Sequence, residues 1–210
     1  MKEHYYVGVD IGQAHDPSAI AILEYSEIKG TVRDPVRFDF PIVKQLALRQ
    51  VERLRLGMEF SDVAGRVGQV ARYLGRQWPT WLASKPGVTI VVDATGVGRP
   101  VVEMIRKERL ECATVVPVII TGGEASSQKA GIWRVSKVEL MMTLAAMVDR
   151  GEFIVAENLK HKDAWIAEMQ SVSSETLEGN PDDMVIATAL ACWRSRRKKV
   201  GESDFPLRFD

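Results

Sequence analysis

The chain has 210 residues, of which 46% are hydrophobic and 27% charged, and this suits one globular domain with a sizeable core. Its 28 basic and 28 acidic residues balance, whereas a protein that holds nucleic acid tightly by itself is more often basic. The sequence has no apolar run near the roughly 18 residues of a membrane span and no signal-peptide core, and its two distant cysteines favour neither disulfides nor a zinc site. We therefore expect a protein of the reducing cytoplasm.

The first part of the chain predicts three consecutive strands. The segments YYVGVDIG and SAIAILEY are β-rich, and a third extended segment lies within VRFDFPIVKQLAL and its continuation RQVERL. Short links between them indicate an antiparallel meander. The apolar spacing of SDVAGRVGQVARYLGRQW then predicts an amphipathic helix, with Ser61 as its N-cap.

Strands and helices alternate in the second part of the chain. VTIVVDATG predicts a buried strand that ends in Asp93, followed by a helix with Pro100 near its start and by a strand in TVVPVII. The polar loop TGGEASSQKAGIW is a candidate mobile segment. The next helix has a capping box, Ser136 and Glu139, and a stop at Gly151. A short strand in FIVA and an amphipathic helix around KDAWIAEMQ follow, so we expect an α/β fold with a mixed sheet.

The last helix, in NPDDMVIATALACW, is apolar almost all round and begins with two adjacent acids, Asp182 and Asp183. One interpretation needs no chemistry: Asn180 caps the helix, Pro181 takes the first helical position, and the acids complement the positive end of the helix dipole. The other interpretation follows from burial, since a helix without a polar face packs in the core and holds its leading acids at the edge of that core. This segment alone leaves both interpretations open.

Two further acids, Asp10 and Asp93, stand at the carboxyl ends of predicted strands, where functional groups of α/β sheets collect. Each alone is often just the point where a buried strand reaches solvent. If the two strands are neighbours, however, the acids lie about 5 Å apart, and the last helix can bring a third carboxylate to them. Clustered carboxylates need a cation to stay ionised, and oxygen ligands without His or Cys select Mg²⁺ or Mn²⁺. A pair of such ions about 3.5–4 Å apart is the arrangement that cleaves phosphodiesters.

These segments also resemble a known family. VGVDIGQAHDPSAIAIL, VVDATGVGRPVVEMI and NPDDMVIATALA, in this order and spacing, are similar to the nuclease domain of phage large terminase subunits, which has the ribonuclease H-like (RuvC-type) fold. The matching positions are Asp10 and Gly12 of a D-x-G pattern, Asp93, Thr95, Gly96 and Gly98 of a D-x-T-G-x-G pattern, and Asp182 and Asp183 at the head of the last helix. Pro181 stands where the family usually has histidine, which removes one accessory ligand.

The resemblance implies a mixed sheet of five or more strands flanked by helices, and an endonuclease that cuts duplex DNA by two-metal hydrolysis during viral genome packaging. Asp10 would bridge two Mg²⁺ or Mn²⁺ ions, with Asp93 and Asp183 completing the ligand set and Asp182 assisting. The resemblance also implies double-stranded DNA as substrate and a packaging ATPase motor, a portal and a small terminase subunit as partners, in the cytoplasm of a host cell.

Large terminases usually carry an ATPase motor ahead of the nuclease, but this sequence has no G-x-x-x-x-G-K-[ST] phosphate loop. We therefore expect residues 1–210 to form a single nuclease domain with no motor domain. The chain is then either the nuclease half of a terminase or a stand-alone nuclease whose motor is another chain.

Some basic residues are weaker candidates for contacts to DNA phosphates. These candidates are Lys129, Arg134 and Lys137. Trp133 lies among them, whereas the other tryptophans have core-like positions. The basic run RSRRKK closes the last helix, where cations suit the helix dipole as well as a phosphate. His15 and Asp16 either touch metal or DNA or serve only the turn after the first strand.

Three alternatives remain open. A sugar-kinase or actin-type ATPase also opens with D-x-G, but it needs a second phosphate loop and an adenosine motif, for which 210 residues leave little room. A RuvC-type Holliday-junction resolvase would share the fold and the metals but would cut four-way junctions as a dimer. A packaging adaptor with a decayed nuclease fold would show no metal-dependent cleavage, although all the acids of the family are present here.

Overall fold

The computed structural model describes residues 4–12, 16–33, 35–77, 87–108, 110–123, 126–173 and 181–197. Within these ranges the chain forms one mixed sheet of eight strands flanked by five helices. None of the helices in the described ranges is long and apolar enough to cross a membrane. Two residues discussed above, His15 and the predicted cap Asn180, lie outside the described residues.

The strands are β1 (His4–Asp10), β2 (Ala19–Lys29), β3 (Ile42–Arg53), β4 (Val88–Asp93), β5 (Ala113–Thr121), β6 (Ser127–Lys129), β7 (Ile132–Ser136) and β8 (Phe153–Val155). Their order across the sheet is β6-β7-β5-β4-β1-β2-β3-β8. β1, β2 and β3 form the predicted antiparallel meander, and β4 lies parallel to β1 on its other side. The prediction of a mixed sheet is confirmed, and the two acid-bearing strands, β1 and β4, are neighbours.

The helices are α1 (Phe60–Gln77), α2 (Gly98–Lys107), α3 (Lys137–Asp149), α4 (Lys162–Ser173) and α5 (Asp183–Arg196). Helices α1 and α2 cover one face of the sheet, and α3, α4 and α5 cover the other, which we call the α5 face. Val9 of β1 and Val92 of β4 belong to the core under α1 and α2. Because successive side chains of a strand point to opposite faces, Asp10 and Asp93 lie on the α5 face.

The segment 121–133 was predicted to be a polar loop, but β6 and the start of β7 lie within it and form a hairpin at the edge of the sheet, so the loop prediction is wrong at these strands. β6 pairs antiparallel with β7, and the pair Lys129 and Ile132 closes a two-residue turn. Its central residues, Ala130 and Gly131, have φ angles of 50° and 76°. Positive φ at both central positions is the geometry of a type I′ turn, whose twist matches that of the flanking strands.

Two predicted helix starts are displaced by one or two residues. Helix α1 begins at Phe60, so Ser61 lies inside the first turn, and the carbonyl of Glu59 accepts the first helical hydrogen bond from the amide of Val63 at 3.0 Å. Helix α5 begins at Asp183, so Pro181 lies outside it rather than at the first helical position. The Ser136 cap of α3 is confirmed, since its hydroxyl accepts from the amide of Glu139 at 3.0 Å.

Helix α5 packs with its backbone directly on β1 at Gly8. A Cβ atom added at Gly8 would lie 1.7 Å from the carbonyl oxygen of Ala187 and 3.3 Å from the amide nitrogen of Ala191. Only glycine permits so close an approach. All residues of α5 from Asp183 to Trp193 are buried, as the apolar sequence of this helix predicts.

We expect Gly8→Ala to destabilise the protein by about 1–3 kcal/mol, because the added methyl group must push α5 away from β1. Urea unfolding measures the loss. Gly65→Ala is the control: nothing lies within 4 Å of a Cβ at Gly65, and replacing glycine inside helix α1 stabilises it by up to about 1 kcal/mol. Equal stability of Gly8→Ala and the natural chain would contradict the close packing of α5 on β1.

Candidate active site

The sheet brings the predicted acids Asp10 and Asp93 side by side. In the parallel pair of β1 and β4, Val9 lies opposite Val92. The next residue in each strand is the aspartate, so the two acids stand at neighbouring strand ends, one strand spacing or about 5 Å apart. Across the other edge of β1, Asp10 pairs with Ala19 of β2, and Ala19 pairs with Arg53 of β3. The row across the ends of β4, β1, β2 and β3 therefore contains two acids, a small residue and a cation: Asp93, Asp10, Ala19 and Arg53.

Helix α5 adds Asp182 and Asp183 to this row. Asp183 stands one helical turn, about 6 Å, before Ala187, and Asp10 stands two residues, about 7 Å, beyond Gly8. The contact of Gly8 with Ala187 thus sets both carboxylates at the same edge of the sheet. Asp183 is buried, with 8% of its surface exposed, whereas Asp182 is partly exposed.

The charges of the other three acids act on Asp10. Burial raises the pKa of Asp10 well above its usual range, and repulsion from Asp93, Asp183 and Asp182 raises it further, while Lys137 opposes the increase. These interactions require that the three acids lie close enough to act on Asp10. The four acids thus lie at the same edge of the sheet, and their convergence on a common metal position stays a prediction.

The turn after β4 holds the carboxylate of Asp93. The backbone amide of Thr95 donates to Asp93 Oδ1 at 2.8 Å, and the hydroxyl of Thr95 accepts from the amide of Ile120 at 2.9 Å. Burial raises the pKa of Asp93, and hydrogen bonds from Thr95 and from the Ile120 amide oppose the increase. Gly96, with a φ of 59°, allows the tight turn. The matching motif residues thus orient one acid of the site.

Two cations pair with the acids of α5. Lys137 Nζ lies 2.5 Å from Asp182 Oδ2, and Arg53 Nε lies 3.6 Å from Asp183 Oδ2. The second distance is that of an ion pair but is too long for a hydrogen bond. Burial raises the pKa of Asp183, Arg53 opposes this, and the charges of Asp182 and Asp16 add to it. Asp16 is exposed but close enough to act on Asp183.

Glu168 of α4, which was not predicted to belong to the site, caps helix α5. Its Oε2 accepts from the amides of Met184 at 3.0 Å and Val185 at 3.1 Å. Asp182 occupies the N-cap position and makes no capping bond of its own. Asp182 therefore does not cap its own helix, and the cap predicted from the sequence, Asn180, lies outside the described residues.

The donor set suits a hard divalent cation. The four acids supply only carboxylate oxygens, the ligands that Mg²⁺ and Mn²⁺ prefer. Asp183 Oδ2 is buried and has no hydrogen-bond partner, a costly state for a carboxylate oxygen unless a cation accompanies it. As the side chains stand, however, no three Asp, Glu, His or Cys residues in the described ranges are arranged around a common metal position. Their present orientations match the ion pairs with Arg53 and Lys137.

The three basic residues predicted to contact DNA lie in different places. Lys137 is beside the acids and pairs with Asp182. Arg134 is exposed and lies between Trp133 and Val135, which pack on the α5 face, so Arg134 points to the opposite face. Lys129 pairs with Ile132 in the hairpin and shares the face of Arg134. Their contact with DNA stays a prediction.

Trp133 belongs to an internal cluster with the end of α5. Its ring lies 5.5 Å from the ring of Trp193, edge to face, and the guanidinium of Arg197 lies 4.9 Å from the first ring and 4.8 Å from the second. Glu139 Oε1 accepts from Trp193 Nε1 at 2.9 Å and from Arg197 at 2.6 Å. Arg196 pairs with Glu152 at 2.9 Å. This part of the basic run is therefore engaged within the protein.

Three solved structures of two terminase nuclease domains share this architecture. The large terminase nuclease from thermophilic phage G20c matches with a TM-score of 0.53 and 18% sequence identity, covering 93% of this chain and 83% of that chain. The human cytomegalovirus terminase nuclease domain matches with a TM-score of 0.52 and 12% identity, covering 91% of this chain and 82% of that one. A Mn-soaked structure of the same viral domain gives 0.51 and 10% identity, with coverages of 90% and 81%.

The chain has the fold of terminase nuclease domains. This confirms the ribonuclease H-like fold predicted from the sequence. No protein-family model matches the sequence, and no curated protein matches it significantly. At these low identities the likeness concerns the fold, and the chemistry follows from the residues of the site.

In the absence of metal, we expect Asp10→Asn to stabilise the protein. The pKa of Asp10 is raised in the folded state, so ionisation of Asp10 opposes folding. The protein therefore loses stability as the pH rises above about 4, the ordinary pKa of an aspartate in the unfolded chain. Asparagine does not ionise. The melting temperature in EDTA should therefore rise by about 2–4 °C for each kcal/mol of relieved repulsion.

The gain should be larger at about pH 8 than at about pH 5, because the natural Asp10 is more fully ionised at the higher pH. Glu103→Gln is the control, since Glu103 is an exposed acid paired only with its helix neighbour Arg106. A lower melting temperature for Asp10→Asn at both pH values would contradict the mutual repulsion of the acids.

Proposed function

We propose that this protein is a metal-dependent endonuclease that hydrolyses the phosphodiester bonds of duplex DNA in viral genome packaging. The observation that carries the proposal is the meeting of Asp10, Asp93, Asp182 and Asp183 at one edge of a terminase-nuclease fold. The structural neighbours support the proposal in two respects: they are terminase nuclease domains, and one of them was soaked with Mn.

In this proposal Asp10, Asp93 and Asp183 hold two Mg²⁺ or Mn²⁺ ions, and Asp182 assists. Asp10 is the central ligand in this proposal, because its strand β1 lies beside β4, which ends in Asp93, and under α5, which begins with Asp183. Such ions activate a water molecule for attack on phosphorus and stabilise the leaving oxygen. The protein contributes the position of the ligands: two on neighbouring strand ends, and one on a buried helix that packs on the sheet.

The two cations of the site offset part of its negative charge when no ion is bound. Lys137 pairs with Asp182 and Arg53 with Asp183. Divalent ions compete with the exposed Lys137 for Asp182, so we infer that Lys137 reorients when ions bind. Lys137, with 41% of its side chain exposed, is then free to contact a DNA phosphate beside the acids.

The packaging role implies further partners. We propose that an ATPase motor, with a portal and a small terminase subunit, delivers the DNA to the nuclease domain that residues 1–210 form. The balanced charge of the chain suits a nuclease that receives DNA from a motor, because such a protein does not need to hold DNA tightly by itself.

We expect the protein to cut a supercoiled plasmid with Mg²⁺ or Mn²⁺ and to leave it intact in EDTA, because no other group of the site supplies the charge that the reaction needs. The cuts should show little sequence preference, since nothing in the sequence resembles a base-reading helix. Gel electrophoresis of plasmid digests measures both. A discrete fragment set, undiminished cutting in EDTA, or a marked preference for a four-way junction over linear duplex would contradict the proposal.

We expect Asp183→Asn to lower the cleavage rate by at least about 100-fold, because a lost ligand removes several kcal/mol of transition-state stabilisation. Asp182→Asn should retain residual activity, since Asp182 assists rather than completes the ligand set. Rates on plasmid DNA and melting temperatures separate chemistry from stability.

The control is Asp62→Asn, which changes an exposed acid in the first turn of α1, a position where its charge only complements a helix dipole. If Asp183→Asn cuts DNA at the natural rate, the acids at the head of α5 serve the helix alone and the proposed site is wrong.

A further inference from the structure

The start of α5 is held from outside the helix. In most helices the N-cap side chain accepts a hydrogen bond from the second or third helical amide. Here Glu168 of α4 takes both amides, those of Met184 and Val185, on its Oε2 at 3.0 and 3.1 Å. These are the two residues that follow Asp183, so Glu168 fixes the backbone that carries this acid.

The other oxygen of Glu168 reaches the acid site through Arg53. Glu168 Oε1 accepts a hydrogen bond from Arg53 Nη2, and Arg53 Nε lies 3.6 Å from Asp183 Oδ2. One guanidinium thus touches both carboxylates. Arg53 is itself fixed by its place at the end of β3, where it pairs with Ala19, the strand neighbour of Asp10.

Helix α4 is anchored where Glu168 needs it. One turn before Glu168, Trp165 Nε1 donates to Thr188 Oγ1 of α5 at 3.1 Å, and the Trp165 ring stacks on Phe153 at 5.9 Å between centroids. Glu168 is 5% exposed and Trp165 is equally buried. Helix α4 therefore holds the carboxylate of Glu168 in a fixed position.

Stability alone is a weak explanation for this arrangement. Burying a carboxylate costs free energy that pairing with a cation often does not offset. An apolar side chain of similar volume frequently stabilises the fold as much or more. Asp182 already occupies the N-cap position, where its own side chain could satisfy the helix. Through their contacts, Glu168 and Arg53 instead link β3, α4 and the start of α5 at Asp183, the proposed ligand.

We propose that Glu168 and Arg53, which we call the Glu168–Arg53 clamp, position Asp183 for metal binding. This inference rests on the proposed function of the acid site. Glu168 fixes the position of the first turn of α5, and Arg53 orients the carboxylate of Asp183. Neither is a ligand in the proposal: both act through Asp183. Groups that orient a metal ligand commonly contribute 10- to 100-fold in affinity or activity.

The test compares Glu168→Gln and Arg53→Gln with the natural protein. Glutamine at 168 keeps an oxygen for the α5 amides but loses the ion pair with Arg53, so the helix stays capped and the clamp is broken. The control is Glu52→Gln, which breaks an equally well formed pair one residue away on β3, where Arg66 donates to Glu52 at 2.8 and 2.9 Å from helix α1. Isothermal titration with Mn²⁺ measures affinity, and thermal unfolding in EDTA measures stability.

Each clamp variant should bind Mn²⁺ about 10- to 100-fold more weakly, and the double variant should lose little more, since the two residues act as one unit. Glu52→Gln should bind Mn²⁺ as the natural protein does, with a comparable change in melting temperature. Cleavage by the clamp variants should recover when Mn²⁺ is raised, whereas cleavage by Asp183→Asn should not.

Unchanged Mn²⁺ affinity in Glu168→Gln and Arg53→Gln would overturn the clamp, even if both melt at lower temperature, because a merely structural role lowers stability alone. Asp10→Asn and Asp183→Asn are titrated in parallel. If these two also bind Mn²⁺ normally, the proposed metal site itself fails; if they lose binding while the clamp variants keep it, only the clamp fails.

Discussion

The contact between α5 and β1 at Gly8 determines the rest of the site. A helix normally keeps its backbone several ångströms from a sheet because side chains intervene, but here the carbonyl of Ala187 occupies the space that a Cβ at position 8 would need. The helix is held so close that its first residue lies over the end of the strand. Asp10 and Asp183, far apart in the chain, thereby become neighbours.

Such an assembly of like charges is stabilised in three ways. The start of a helix carries a partial positive charge from its free amides, which favours acids there. Lys137, the first residue of α3, and Arg53, the last of β3, add full charges. The turn after β4 gives Asp93 a backbone donor. The remaining repulsion is felt most by Asp10, which lies between the other acids.

Local rules of sequence were sufficient for the acids themselves. An acid that ends a continuous apolar run is visible in the sequence, so the positions of Asp10 and Asp93 at strand ends could be predicted, and the continuous apolar run of α5 indicated its burial. The pairing of β1 with β4 was a conditional expectation that the sheet order confirms. The hairpin at residues 127–136 was missed because its turn has alanine at a positive φ, where asparagine or glycine gives the usual signal.

Glu168 and Arg53 could not be predicted from local patterns, since the two residues are 115 positions apart in sequence. One signal was nevertheless present. Trp165, Glu168 and Met169 follow the spacing of one helical face, so an acid stood on the apolar side of α4. A charged residue in such a position needs a partner, but the identity of that partner depends on how β3 and α4 meet in the folded protein.

The order in which the acids occur along the chain has a consequence for biosynthesis. Asp10 and Asp93 emerge from the ribosome well before α5, and domains fold as synthesis proceeds. The sheet can pair its central strands while the surface that α5 covers is still bare. The acid cluster is completed only when residues 183–196 dock on Gly8. A nascent or truncated chain that ends before Asp182 thus contains half of the acids, and the complete set marks a chain whose core is closed.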